Sequence, residues 1–247
     1  MENTIGKQFM KMTKYVNLEL SAQSQGVPQP ALELEAPNTA ELIELPSPAS
    51  LEMPHIDLRL AVEQRETRRD YADHPLTLQE FTYLLWCTQG VKSVSDISIT
   101  RRTVPSAGSR HAFETWLLIN RVEGLQPGLY RYLALSHKMI KIPTEVDIRQ
   151  RLTDACKHQK HVFESAVTLF WVAVTERMVW RYSQRGYRYM FLDAGHVCQN
   201  LYLAAEQIGC GVCAIAAYDD DLVNQALQLD GEKLFAIYIA TLGKRKP

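Results

Sequence analysis

The sequence predicts an α+β protein with a mainly antiparallel central sheet flanked by helices. Three observations predict it. Short apolar runs divided by turn residues fill the stretch from 115 to 142. Periodic helical segments lie before and after them, the strongest from Asp193 to Ile208. No regular alternation of strand and helix connects these pieces, which argues against a doubly wound parallel sheet.

Each element has its own signal. Gly6 to Val16 reads as a short helix. From Ser21 to Pro54 the chain is rich in Pro, Ser and Glu, and Pro fixes φ and removes a donor, so regular structure is not expected there. The Leu and Ile residues between those prolines favour an arm laid over a neighbour rather than a disordered tail. Two units follow: an N-terminal helix and arm over 1–57, and a folded domain over 58–247. Leu58 to Arg65 reads as a helix. Thr77 and Glu80 form a capping box for a second, with Leu78, Phe81, Leu84 and Leu85 on one face and Gly90 as its stop. Strands are expected at 115–122, 129–133 and 139–142, with turns at 124–128 and 136–138. A helix is expected at 147–155. The continuous apolar run 166–174 predicts a central strand, and Leu234 to Leu242 a last one. Val197, Leu201, Ala204, Ala205 and Ile208 give the long helix its buried face, and Gly209 ends it.

Composition narrows the function classes. The chain has 247 residues, 46% of them hydrophobic, and a formal net charge of −1. A near-neutral chain offers no global field for nucleic acid or anionic lipid. The best apolar run, 166–174, is too short to span a bilayer. The N-terminus lacks the uninterrupted apolar core of a secretory signal, so a cytoplasmic location is expected. Five irregularly spaced cysteines make no disulfide framework. Cys210 and Cys213 form a lone C-x-x-C without a second pair, and no metal site is expected.

Four stretches carry candidate chemistry. Arg65, Arg68 and Arg69 cluster where a helix meets a turn, and guanidinium forks suit a phosphate; with Glu63 and Glu66 beside them, a solvated surface is the plainer reading. Pro105-Ser106-Ala107-Gly108 precedes a buried strand with side chains small enough for backbone to approach a flat ligand. Ser106 is able to donate and accept at a ring edge. Gly209 to Ala217 is a small-residue platform after a helix, neither a P-loop nor a dinucleotide fingerprint. Gly243-Lys244-Arg245-Lys246 is a basic ending that either aids solubility or closes on a phosphate. His196, on the long helix, reads as a core or interface histidine.

In combination these stretches have a counterpart. RETRRDY at 65–71, PLTLQEFTYLLWCTQG at 75–90, PSAG at 105–108, GLYRY at 128–132, RYSQRGYRY at 181–189, LDAGHVCQNLYLAAEQIGCG at 192–211 and TLGKR at 241–245 occur in one order. The chain resembles the nitroreductase family of FMN-dependent oxidoreductases, and within it the SagB/ThcOx branch that includes azoline dehydrogenases. The resemblance runs from Leu58 to the C-terminus. It implies an intertwined homodimer with FMN at each subunit interface and the Pro-rich arm wrapped on the partner. It implies that Arg65, Thr67 and Arg69 contact the phosphate and pyrimidine edge. Pro105, Ser106 and Gly108 would come from the partner and pack near the ring. Ala214, Ile215 and Ala216 would offer backbone N–H to the flavin, and Lys244 and Arg245 would close on the phosphate. The activity implied is ping-pong hydride transfer, with two substrate classes: nitro or quinone acceptors with NAD(P)H as donor, or a peptide-borne azoline. A flavin-storage protein without turnover is the alternative.

Two positions depart from the family pattern. Thr67 stands where Ser is usual and keeps the hydroxyl. Arg181-Tyr182 stands where azoline dehydrogenases carry a Lys-Tyr pair implicated in proton removal. A guanidinium is a poor general base, which leaves Tyr182 as the candidate if Arg181 and Arg185 lower its pKa.

Overall fold

The two most apolar stretches become neighbours at the centre of one sheet. The computed structural model describes residues 4–96, 99–144 and 147–246. In chain order its strands are β1 (Leu42–Glu44), β2 (Val91–Val94), β3 (Thr100–Arg102), β4 (Phe113–Ile119), β5 (Gly128–Leu133), β6 (Lys138–Ile142), β7 (Val167–Val174), β8 (Cys210–Ile215) and β9 (Leu234–Lys244). The helices are α1 (Ile5–Met12), α2 (Leu58–Gln64), α3 (Leu78–Gln89), α4 (Ile148–Ala155), α5 (Lys160–Glu164), α6 (Thr175–Tyr182), α7 (Gly186–Gln207) and α8 (Asp220–Ala226). Among the described residues the main sheet has seven strands in the order β1-β6-β5-β4-β7-β9-β8, paired antiparallel throughout. β2 and β3 pair apart from it.

β7 and the Trp116–Ile119 part of β4 read as near-continuous apolar runs because both sheet faces are covered. On one face Leu117, Ile119, Leu169 and Trp171 pack with Phe81, Leu84 and Leu85 of α3 and with Val197, Leu201 and Ala205 of α7. On the other, Trp116, Leu118, Phe170 and Val172 pack with Ile148 and Leu152 of α4 and Val223 and Ala226 of α8. Alternate residues of one strand thus enter two different cores. The capping box forms as expected, with Thr77 accepting from the Glu80 N–H and Glu80 accepting from the Thr77 N–H. Gly90 allows a close approach: a Cβ there would fall 2.3 Å from the Trp86 ring.

The Pro-rich arm makes few hydrogen bonds to itself and takes its partners from buried side chains of its own chain. The Trp180 indole donates to the Val27 carbonyl at 2.8 Å, and Arg177 Nε to Ala31 O at 2.7 Å. Arg131 donates to the carbonyls of Leu34 and Glu35. Glu114 accepts from the Leu34 N–H at 2.9 Å and pairs with Arg177 at 2.6 Å, both side chains being almost wholly buried. Regular structure, not expected in this arm, does occur at β1, which joins the sheet edge at β6; the rest of the arm is ordered because its backbone groups are satisfied from below.

Candidate active site

α7 runs beside two groups of polar residues, one at each half. At its C-terminal half the turn after α2 lies along the outer edge of β8. Thr67 bridges Val212, and the Arg68 N–H donates to Val212 O at 2.9 Å. That approach needs Gly211, where a Cβ would sit 2.8 Å from Arg68 Cβ. The Tyr202 hydroxyl, from α7, lies 3.1 Å from Thr67 Oγ1 and accepts from the Ala214 N–H at 3.0 Å. The Arg65 guanidinium sits 5.4 Å from the Tyr202 ring centroid. Arg65, Thr67 and Ala214 therefore share one small region, with Ala216 exposed just past the strand and Ile215 buried beneath.

Charge is unevenly matched here. The nearby carboxylates Glu66 and Asp70 turn to Arg68 and Lys246, and among the described residues Arg65 and Arg69 form no ion pair. Arg69 stands apart from Arg65, beside the Cys213 thiol, whose pKa burial raises and Arg69 opposes. Lys244 and Arg245 are engaged. Lys244 pairs with Glu80 and donates to Ile208 O at 3.0 Å; Arg245 pairs with Glu206 and donates to Cys210 O at 3.1 Å.

At the N-terminal half of α7 lies the Pro105–Gly108 loop. Ser106 Oγ donates to Asp193 at 2.6 Å and accepts from the His111 N–H at 2.9 Å, while the Ala107 N–H also donates to Asp193. The donor capacity of the Ser106 hydroxyl is thus taken by Asp193, and its part is to hold the loop in shape. Asp193 is 3% exposed, and burial raises its pKa against the pull of those two bonds. Burial, with Arg102 and Arg110 near it, pushes His111 down to about 3 and leaves it neutral. Gly108 has φ +56°, and a Cβ there would fall 2.4 Å from the Tyr182 hydroxyl and 2.9 Å from Arg181 Nε. The loop is small because Arg181 and Tyr182 occupy the space a side chain would need. Pro105 and Gly108 are exposed.

The two groups are set by Asp193 and Tyr202, nine residues apart on one helix, or about 14 Å along its axis. On the outer face of α7, Phe191 and Leu192, 59% and 61% exposed, lie just before Asp193, and Gly195 and His196, also open, lie between the two groups. A cavity of about 660 Å³ between the arm and β5–β6 lies near the opposite edge of the sheet and contains none of these residues.

Asp193, Tyr189 and Tyr202 were not singled out from sequence. Asp193 had a signal: it falls four residues before Val197, on the buried face of the helix, where an unpartnered carboxylate is not expected. Cys210 and Cys213 point into opposite cores, as a three-residue spacing on a strand requires, so they do not face a common ligand.

A family model for the nitroreductase family matches residues 62–244. The chain belongs to the nitroreductase family. This makes it an oxidoreductase, and the SagB/ThcOx-type resemblance stands. A Methanocaldococcus jannaschii chain that bears a nitroreductase name is 29% identical over 190 residues, which cover 77% of this chain and 92% of that one. The Escherichia coli microcin B17-processing protein McbC is 27% identical over 157 residues, 61% of this chain and 57% of McbC, so the match spans little more than half of that relative. A crystal structure from Ralstonia eutropha, described as a nitroreductase, shares the fold with a TM-score of 0.67 at 22% identity, covering 89% of this chain and 95% of that one.

Proposed function

We propose that this nitroreductase-family chain is an FMN-dependent oxidoreductase of SagB/ThcOx type that dehydrogenates a peptide-borne ring. One observation carries the reading: Arg65 reaches the Thr67–Tyr202–Ala214 cluster without a carboxylate partner among the described residues, beside a turn of small residues. The residues present fit the cofactor. A guanidinium and a hydroxyl suit its phosphate, and the alanine turn leaves backbone open to a flat ring. When bound, FMN supplies two-electron acceptance from a carbon–hydrogen bond. Arg65 and Thr67 hold its charged end. Lys244 and Arg245, already paired to Glu80 and Glu206, shape that end more than they neutralise it. Arg69, beside the Cys213 thiol on the other side of β8, stands outside this cluster. The Ala216 N–H is the platform donor left open toward the ring, since Ala214 gives its own to Tyr202.

The second half of the site would come from a second copy. The exposed Phe191 and Leu192 lie beside the Asp193 group, and Gly195, between the two groups and with nothing within 4 Å of a Cβ, allows close packing there. A homodimer closed there would set the Pro105–Gly108 loop, Arg181 and Tyr182 of one chain against Arg65 of the other, with a small or peptide substrate between. The McbC relation supports the peptide class. The M. jannaschii relative, matched over nearly its whole length, supports a second reading, a reductase driven by NAD(P)H. Both readings place the protein in the cytoplasm.

Absorption spectra of the purified protein, before and after anaerobic NADH or NADPH, test this. Flavin bands that persist with nicotinamide and bleach with a thiazoline-bearing peptide are expected. Bleaching by nicotinamide selects the reductase. A protein that takes up no FMN contradicts both.

A further inference from the structure

Sequence reasoning left Tyr182 as base on condition that Arg181 and Arg185 served it, and Arg181 does lie 5.7 Å from the Tyr182 ring centroid. The structure turns Arg185 to another tyrosine. Arg185 Nε donates to the Tyr189 hydroxyl at 2.8 Å, and the Tyr15 hydroxyl lies 2.7 Å from the same oxygen. The Arg185 guanidinium also lies 4.3 Å from the Tyr15 ring centroid and donates to Thr13 O at 2.9 Å. Arg188 Nε donates to Thr13 Oγ1 at 2.6 Å. Two arginines therefore fasten the segment after α1 over the start of α7. The Tyr189 ring meets the edge of Tyr182 at 4.8 Å between centroids, and it is the Tyr182 hydroxyl and Arg181 that lie against Gly108.

We propose that Tyr189, bonded to Tyr15 and Arg185, takes up the proton released when a substrate held against Arg181 and Tyr182 is dehydrogenated. This rests on the proposed function. The substrate ring loses hydrogen from two adjacent atoms. One carbon–hydrogen bond would break with its electron pair leaving as hydride, for which bound FMN would be the two-electron acceptor. The other breaks as a proton, which forms an O–H bond with the Tyr189 phenolate, and its electron pair becomes the new ring double bond. Four groups face that phenol: Tyr15 from the N-terminal segment, Arg185 from the preceding turn, Arg188 from α7 itself, and the Tyr182 ring from α6. Burial pushes the Tyr189 phenol up, but the bonds from Tyr15 and Arg185 and the charges of Arg185 and Arg188 outweigh it, and the net direction is down. Tyr15 moves up in return, first through its hydrogen bond to Tyr189 and then through the charge interaction with it. The family match begins at residue 62 and does not contain Tyr15. The N-terminal segment thus brings a group of its own to the site.

The test has two readouts. In the full-length apo chain with ring-labelled tyrosines, one phenol is expected to titrate below 10, the ordinary value. It should vanish in Tyr189→Phe and move up in Tyr15→Phe and Arg185→Gln. In FMN-loaded protein, anaerobic flavin bleaching by a thiazoline-bearing peptide should slow about a hundredfold in Tyr189→Phe. In Tyr15→Phe its pH dependence should shift upward. Tyr189→Phe keeps the ring against Tyr182, so the fold is retained. Tyrosines that all titrate at or above the ordinary value overturn the inference, as does a Tyr189→Phe protein with the parent's rate and pH profile. Failure to take up FMN overturns the proposed function instead, and leaves the titration to be judged alone.

Discussion

The two halves of α7 organise polar residues in opposite ways. At the N-terminal half, around Asp193, donors and acceptors close on one another: Ser106 and Ala107 on the carboxylate, the His111 N–H on Ser106. At the C-terminal half, around Tyr202, the hydroxyl ties Thr67 to Ala214, but Arg65 above it has no carboxylate partner among the described residues. A closed group positions backbone and resists change, because a buried group that loses its partner pays the full desolvation cost. An open cation on a small-residue edge has affinity to offer. The first half reads as framework for a loop, the second as the place where an anion is held.

If this contrast is right, the largest effect on stability belongs to the closed group. Asp193→Ala should cost about 3 kcal/mol in denaturant unfolding, since it strands the Ser106 hydroxyl and the Ala107 N–H in the interior. Asp193→Asn should cost less and change with pH in a defined way. Burial raises the Asp193 pKa in the folded state, so its contribution is fullest below the unfolded carboxylate range and is lost as pH rises through the folded value. The parent's advantage over the Asn variant should therefore shrink as pH rises from acid toward neutral.

The open group should show its effect in binding. Arg65→Ala is expected to weaken FMN about tenfold or more, by fluorescence titration, with little change in stability, as the loss of a charge-assisted bond implies. Tyr202→Phe should cost about 1 kcal/mol by freeing the Ala214 N–H. Lys244→Ala sharpens the contrast at the small end. Its amine already pairs with Glu80, so FMN affinity should fall by about threefold at most, a surface-pair magnitude. An Lys244 effect larger than that of Arg65 would reverse the assignment of open and closed charges.

How much of this was legible in the sequence follows the same division. Local signals were read well. The Thr77–Glu80 box, the 166–174 strand at the sheet centre and the helix over 148–155 are set by neighbours in sequence. Boundaries slipped where neighbours conflicted. α7 begins at Gly186, ahead of the expected Asp193, because Gly186 and the aromatic Tyr187, Tyr189 and Phe191 are weak helix formers and hide its first turns. β4 begins at Phe113 and ends at Ile119, against the expected 115–122. β8 was read as a platform and not as a strand: its Gly, Ala and Cys residues carry little β signal, and its pairing with β9 joins Cys210 to Lys244 across the chain. The Arg65, Thr67 and Ala214 positions came from motif order, and the structure gathers them. The buried Asp193, the Glu114–Arg177 pair beneath the arm and the Tyr15–Tyr189 contact are long-range, and no local pattern announces the partner.

The central claim is that one chain carries two half-sites and a second copy completes each. Subunit complementation tests it most directly. Arg65→Ala damages the open half, and Gly108→Val displaces the loop from Tyr182 and Arg181. Each variant alone should bind FMN poorly. Unfolded together and refolded as a mixture, they should recover tight flavin binding, because a mixed dimer has one site with both halves intact. A mixture that binds no better than its components, or a parent protein that binds FMN tightly as a monomer, would contradict the account.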